Sequence, residues 1–105
     1  MVIVETTVFT KQVQKLFTDE EYRQFQADLI SRPDKGAVIP RSGGLRKIRW
    51  GYRGKGKRGG VRVIYYWVVK RDRVLMLYMY PKNVQGNLSP SHLKALTKMV
   101  KAEYL

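Results

Sequence analysis

The spacing of apolar residues along the chain changes several times, and each change marks an element. Val2 to Val4 is a β-branched run closed by Glu5, which reads as a short strand. From Thr10 to Phe17 the apolar positions Val13 and Phe17 lie four apart, predicting a helical stretch. A second helix is marked more sharply. Thr18-Asp19-Glu20-Glu21 is a capping box, Phe17 and Tyr22 stand where a hydrophobic staple requires them, and Tyr22, Phe25 and Leu29 form a stripe on one face. Pro33 and Gly36 end that helix near Ser31. Leu45 to Trp50 reads as a strand, and Val61 to Val69 and Val74 to Tyr80 as two more, joined by a hairpin turn centred on Arg71-Asp72. The last two are apolar on both faces, as central strands are. A final helix opens at Ser89 with Pro90 in its first position, Leu88 and Leu93 as staple, and Leu93, Leu96 and Val100 facing inward. The order β-α-α-β-β-β-α predicts an α+β fold: one small domain over residues 1–105, an antiparallel twisted sheet with helices packed on one face.

Pairing of the last two strands follows from the turn. With residues 70–73 as a four-residue loop, Val69 opposes Val74, Val63 opposes Tyr80 and Val61 opposes Lys82. Tyr65, Trp67, Tyr78 and Tyr80 then share one face, and Ile64, Val68, Leu75, Leu77 and Met79 share the other, assigned to the helices. Arg62 and Tyr80 meet at one end of the sheet but on opposite faces, and a single bulge would reverse that.

Charge changes the picture from fold to partner. The 105 residues include 21 Lys+Arg against 8 Asp+Glu, a formal net charge of +13. Residues 1–40 hold five basic and six acidic side chains, residues 41–73 twelve and one, and residues 74–105 four and one. The middle third is mostly arginine, the fork that matches phosphate, so nucleic acid is the expected partner rather than a membrane. Other chemistries lose their ingredients. The absence of cysteine removes disulfides, thiolate metal sites and a thiol nucleophile. The single histidine, His92, falls in the first turn of the last helix and is expected to face solvent, beside a solvated row of Lys94, Lys98 and Lys101. No metal or other cofactor is implied. The longest apolar run, Val63 to Val69, is far too short to cross a bilayer, and Met1 to Glu5 lacks the basic start of a signal peptide, so a cytoplasmic protein is expected.

The richest segment is Gly51-Tyr52-Arg53-Gly54-Lys55-Gly56-Lys57-Arg58-Gly59-Gly60. Its G-x-G-x-x-G match lacks the following helix of a dinucleotide site, and its GXXG match joins strands rather than helices. Its glycines permit close backbone approach while Lys55, Lys57 and Arg58 supply cations, a combination suited to a phosphate backbone.

Four blocks in order carry a resemblance running nearly end to end: Gly43-Gly44-Leu45-Arg46-Lys47-Ile48-Arg49, the run from Gly54 to Gly60, Arg62-Val63-Ile64-Tyr65-Tyr66, and Tyr80-Pro81-Lys82-Asn83 with Leu88-Ser89. The chain resembles the HigB branch of the RelE-type toxins. Between Asn83 and Leu88, where relatives often carry acids, it has Val84, Gln85, Gly86 and Asn87. The resemblance implies a type II toxin that cleaves translated mRNA on the ribosome, at the A site in contact with rRNA and mRNA. It also implies a neutralising antitoxin, expected to be a helix-turn-helix protein through which alone the toxin meets DNA. Metal-free cleavage by the RNA's own 2′-hydroxyl needs a base, an acid and stabilisation of the phosphorane. For that chemistry the chain offers Lys55 or Lys57 as base, Arg58 and Arg62 on the phosphate, Lys82 as acid or charge stabiliser and Tyr80 as a stacking platform. Arg46, Lys47, Arg49, Arg53, Arg71 and Arg73 are expected to dock RNA. The competing expectation is a non-catalytic RNA-binding module, either like the double-stranded-RNA-binding domain, which runs α-β-β-β-α, or ribosome-associated.

Overall fold

Strand β1 (Val2–Glu5) enters helix α1 (Thr7–Leu16) through Thr6, whose hydroxyl accepts the Phe9 N–H at 3.0 Å. The computed structural model describes residues 1–51, 60–82 and 88–104. Helix α2 (Asp19–Ser31) opens on the expected capping box: the Thr18 hydroxyl accepts the Glu21 N–H at 3.1 Å, and the Glu21 carboxylate accepts the Thr18 N–H at 2.8 Å. The chain continues through β2 (Ala37–Val38), β3 (Arg46–Trp50), β4 (Val61–Val68), one 3-10 turn (Val69–Arg71), β5 (Arg73–Pro81) and α3 (Pro90–Tyr104). The two-residue β2, without apolar alternation to announce it, is the one strand added to the predicted order.

The five strands form a single sheet in the order β1-β5-β4-β3-β2. It is mixed, because β1 runs parallel to β5 while the remaining pairs are antiparallel. The α+β class stands, but the helices divide between the two faces. Phe9 and Val13 of α1 and Phe25 and Leu29 of α2 pack with Val63, Tyr65 and Met76 on one side. Leu96 and Val100 of α3 pack with Ile64, Leu75 and Tyr80 on the other. The reason is visible in β4 and β5, whose apolar residues on both sides need cover on both sides.

The register also departs from expectation. The loop closes one residue earlier, so that Val68 opposes Arg73, with Asp72 in the left-handed region at φ 51°. A bulge then leaves Leu77 unpaired, since Tyr65 opposes Met76 while Ile64 opposes Tyr78. Helix α1 takes up the hydrogen bonds that the bulge displaces. Thr6 donates its hydroxyl to the Leu77 carbonyl at 2.9 Å and its N–H to Met76 at 3.0 Å, and the Gln12 side chain accepts the Met79 N–H at 2.8 Å. Tyr65 and Trp67 therefore face α1 and α2, and Tyr78 and Tyr80 face α3, instead of all four sharing one side.

Tyr65 fastens the α2–β2 connection to the sheet. Its ring is fully buried, and its hydroxyl accepts the Gly36 N–H at 2.8 Å and donates to the Pro33 carbonyl at 2.8 Å. Burial pushes the phenol pKa up, so it stays a neutral donor. Gly36 has no room for a side chain: a Cβ would lie 2.8 Å from the Tyr65 ring. Tyr65→Phe leaves both backbone groups without a partner, an expected loss of about 1–3 kcal/mol. Thermal unfolding followed by circular dichroism checks this, and a midpoint equal to that of the wild type would refute it.

Candidate nucleic-acid interface

Strand register builds the site. Arg49 of β3 opposes Arg62 of β4, and Arg62 in turn opposes Tyr80 of β5. Directly opposed residues point to the same side, so these three side chains form a row across the sheet on the face that carries α3. Two positions back along β3, Lys47 opposes Ile64 and adds a further cation to this face. The bulge is what puts Arg62 and Tyr80 on one side, the outcome that a single extra residue was expected to produce. Lys82 joins at the strand end: its N–H donates to the Gly60 carbonyl at 3.1 Å, and its side chain is exposed. Gly60 lies so close to β3 that a Cβ would come within 2.0 Å of the Trp50 carbonyl oxygen, a crossing only glycine permits.

Electrostatics in the row favour an anion. Arg62 is only 4 % exposed. Burial, and then the neighbouring Arg49 charge, hold its pKa below the ordinary guanidinium value. Two arginines opposed on adjacent strands repel each other, and a phosphate between them relieves the repulsion. Burial raises the Tyr80 phenol pKa, and the Arg62 charge opposes part of that rise. The Tyr80 hydroxyl is buried and has no hydrogen-bond partner among the described residues. Tyr80 is one of the residues that line a cavity of about 160 Å³, with Ile39, Lys47, Ile64, Leu88 and Leu93.

The predicted site residues separate into three groups. Lys47, Arg49, Arg62, Tyr80 and Lys82 come together at one end of β3, β4 and β5. Arg53, Lys55, Lys57 and Arg58 lie outside the described residues, in the segment that Gly51 and Gly60 bracket. Arg46, Arg71 and Arg73 are elsewhere. Arg46 opposes Tyr65 on the other face and donates to the carbonyls of Asp34 at 3.0 Å and Gly36 at 2.8 Å, which clamps the α2–β2 connection. Arg71 and Arg73 sit at the far hairpin, six residues along β4 from Arg62, or roughly 20 Å at strand rise.

Two further expectations change. Tyr80 is 3 % exposed and packs under α3, so it does not stand out as a stacking platform, which needs a free ring face. His92 is half-buried instead of facing solvent, its ring edge-on to Tyr78 with centroids 4.4 Å apart. Tyr78 in turn lies 6.0 Å from Tyr80. The Arg49–Arg62 pairing was missed as a unit because the sequence alone did not align β3 with β4. The signal was present: both strands flank one glycine-rich hairpin, and counting outward from Gly51 and Gly60 pairs Trp50 with Val61 and Arg49 with Arg62. Among the described residues no group of three or more His, Cys, Asp or Glu could hold a metal ion. No helix there is long and apolar enough to cross a membrane.

Comparison with known proteins joins this architecture to a family. In solved structures the fold matches isolated Escherichia coli RelE toxin at TM-score 0.60 and 13% identity, over 93% of this chain and 97% of that one. A double arginine-to-alanine mutant of E. coli RelE in the free state matches at TM-score 0.61 and 12% identity, covering 93% and 94%. The intact E. coli RelBE toxin–antitoxin complex matches at TM-score 0.57 and 17% identity, covering 76% of this chain and 94% of that one. A family model described as the RelE toxin of the RelE/RelB toxin–antitoxin system matches residues 3–104. The chain belongs to the RelE toxin family.

Proposed function

We propose that this protein is the toxin of a type II toxin–antitoxin pair and an endoribonuclease that cleaves mRNA in the ribosomal A site. The observation that carries this reading is the cross-strand row Arg49, Arg62 and Tyr80, with Lys47 and Lys82 at the same end of the sheet and the basic glycine loop rooted beside them. In the reaction a base removes the proton of a 2′-hydroxyl, whose oxygen attacks the adjacent phosphorus. The 5′-oxygen of the next nucleotide leaves with a proton from an acid. Arg62, already desolvated, holds the phosphorane oxygens where its charge acts most strongly, and Arg49 adds a second cation. Lys55 or Lys57 serves as base, Arg58 joins Arg62 on the phosphate, and Lys82 protonates the leaving oxygen or stabilises its charge. The ribosome supplies the orientation that so open a site needs. Within the family, the four sequence blocks favour the HigB branch.

The partner is an antitoxin, as RelB is for RelE in the E. coli complex, expected here to be a helix-turn-helix protein that alone contacts DNA. An mRNA-cleaving toxin of this kind would work in the cytoplasm, where translating ribosomes are. The test is expression in a bacterium with mapping of mRNA 5′ ends. Growth arrest with new ends inside translated reading frames is the expected result. Intact mRNA in cells that accumulate folded protein would overturn the reading.

A further inference from the structure

We infer that Thr6 and Gln12, at the start and in the middle of α1, are positioning residues for RNA cleavage: they fix the β5 bulge that places Tyr80, and Lys82 beyond it, on the side of Arg62. The inference rests on the proposed nuclease function and assigns the residues that hold its site in register. Hydrogen-bonding groups along a strand turn to alternate edges, as side chains turn to alternate faces. On its β1 edge, β5 offers the Asp72 carbonyl to the Val2 N–H at 3.1 Å and the Met76 carbonyl to the Thr6 N–H at 3.0 Å. A regular strand would next turn Tyr78 and Tyr80 to that edge. Instead the Leu77 carbonyl accepts the Thr6 hydroxyl at 2.9 Å, and the Met79 N–H donates to the Gln12 side chain at 2.8 Å. The alternation changes at Leu77, the residue that the bulge leaves unpaired. Met79 presents its N–H to α1 only in the bulged register, so the Gln12 bond selects that register.

Burial of side chains does not make this choice. Continued without a bulge from Tyr65 opposite Met76, the pairing sets Leu77 opposite Ile64, Tyr78 opposite Val63, Met79 opposite Arg62 and Tyr80 opposite Val61. These four β5 residues are all apolar or aromatic, and helices cover both faces of the sheet, so either register buries them. The polar anchors on α1 decide. Without Thr6 or Gln12, the bulged register leaves a Leu77 carbonyl or a Met79 N–H without its partner, in residues 3 % and 1 % exposed. The bulge-free register returns both groups to the β4 ladder. There Arg62 would face the Met79 thioether, and Tyr80 would turn to the side of α1 and α2.

Four substitutions in the full chain test this. Gln12→Met keeps the length and helix preference of the side chain but removes the acceptor, and Gln12→Glu keeps an acceptor. Thr6→Asp still accepts the Phe9 N–H that caps α1 but cannot donate to Leu77, whereas Thr6→Ser does both. NMR contacts between the backbones of β4 and β5 read the register directly. The wild type, Gln12→Glu and Thr6→Ser should show Arg62 against Tyr80, and Gln12→Met and Thr6→Asp should add Arg62 against Met79. On ribosome-bound mRNA the latter two should lose about tenfold in kcat with KM changed less than about twofold, because Arg49 and Arg62 still dock the phosphate. Gln12→Glu and Thr6→Ser should stay within about threefold of the wild-type kcat. The inference is overturned if Gln12→Met and Thr6→Asp keep the wild-type pairing, whatever their rates, or if the pairing shifts and kcat does not fall. The register is read without any cleavage, so a shifted pairing in variants of a protein that never cleaves mRNA would leave the anchors standing and refute the nuclease.

Discussion

Arg62→Ala is expected to lower cleavage of ribosome-bound mRNA by about 10²–10³-fold, the usual loss when one preorganised donor to a transition-state charge is removed. The size of the effect follows from where Arg62 sits. Arg62 is 4 % exposed, and its burial together with the neighbouring Arg49 charge holds its pKa below the ordinary guanidinium value, so its interaction with an anion is weakly screened. Arg62→Lys keeps the charge but not the planar fork and should recover only part of the rate. Lys11→Ala provides the comparison, since it deletes the same unit charge from exposed α1 on the opposite face and should change the rate less than twofold. Single-turnover cleavage on stalled ribosomes measures all three. Equal losses for Arg62→Ala and Lys11→Ala would mean that net charge drives docking and that the cross-strand row has no part in the chemistry.

Phe25→Ala should produce the largest loss of stability, about 3–5 kcal/mol, the range for deleting a buried aromatic ring. Phe25 is 1 % exposed and meets Phe17 at 5.9 Å and Trp50 at 5.2 Å between centroids, both edge-on. Against a total of about 5–15 kcal/mol for a domain, such a loss leaves little margin at growth temperature. It should also reach the functional site. Trp50 ends β3 one residue after Arg49, so α2 holds the Arg49 end of that strand through the Phe25–Trp50 contact. Thermal unfolding and growth arrest should therefore fail together, with Phe25→Leu milder in both. A variant that melts like the wild type would show that the ring is not part of the core.

The elements were readable where local chemistry is strong. The Thr18–Glu21 box, the Pro33–Gly36 stop and the apolar runs of β4 and β5 each act within a few residues, and the structure places their elements within a residue or two of the expected ends. The resemblance blocks reached the family by the same route, as contiguous strings. The candidate site was legible as a neighbourhood: Arg62, Tyr80 and Lys82 do gather at one sheet end. Its membership was not. Arg46 and Lys47 are adjacent basic residues of β3, yet one clamps the carbonyls of Asp34 and Gly36 and the other lines the cavity beside Tyr80. Strand alternation sends neighbours to opposite faces, and composition carries no sign of which face matters.

By itself, then, the sequence determined the helices, the long strands, their order and the concentration of cations between residues 41 and 73, because caps, breakers and apolar periods are local. Only the tertiary structure decided which side chains face one another. A hairpin closing one residue early and a bulge at Leu77, held by Thr6 and Gln12 of a helix almost seventy residues away in sequence, turn Tyr78 and Tyr80 to the side of Arg62. The physical reason is the two-residue repeat of a strand: one inserted residue reverses every later side chain, and only contacts distant in sequence select where it is inserted.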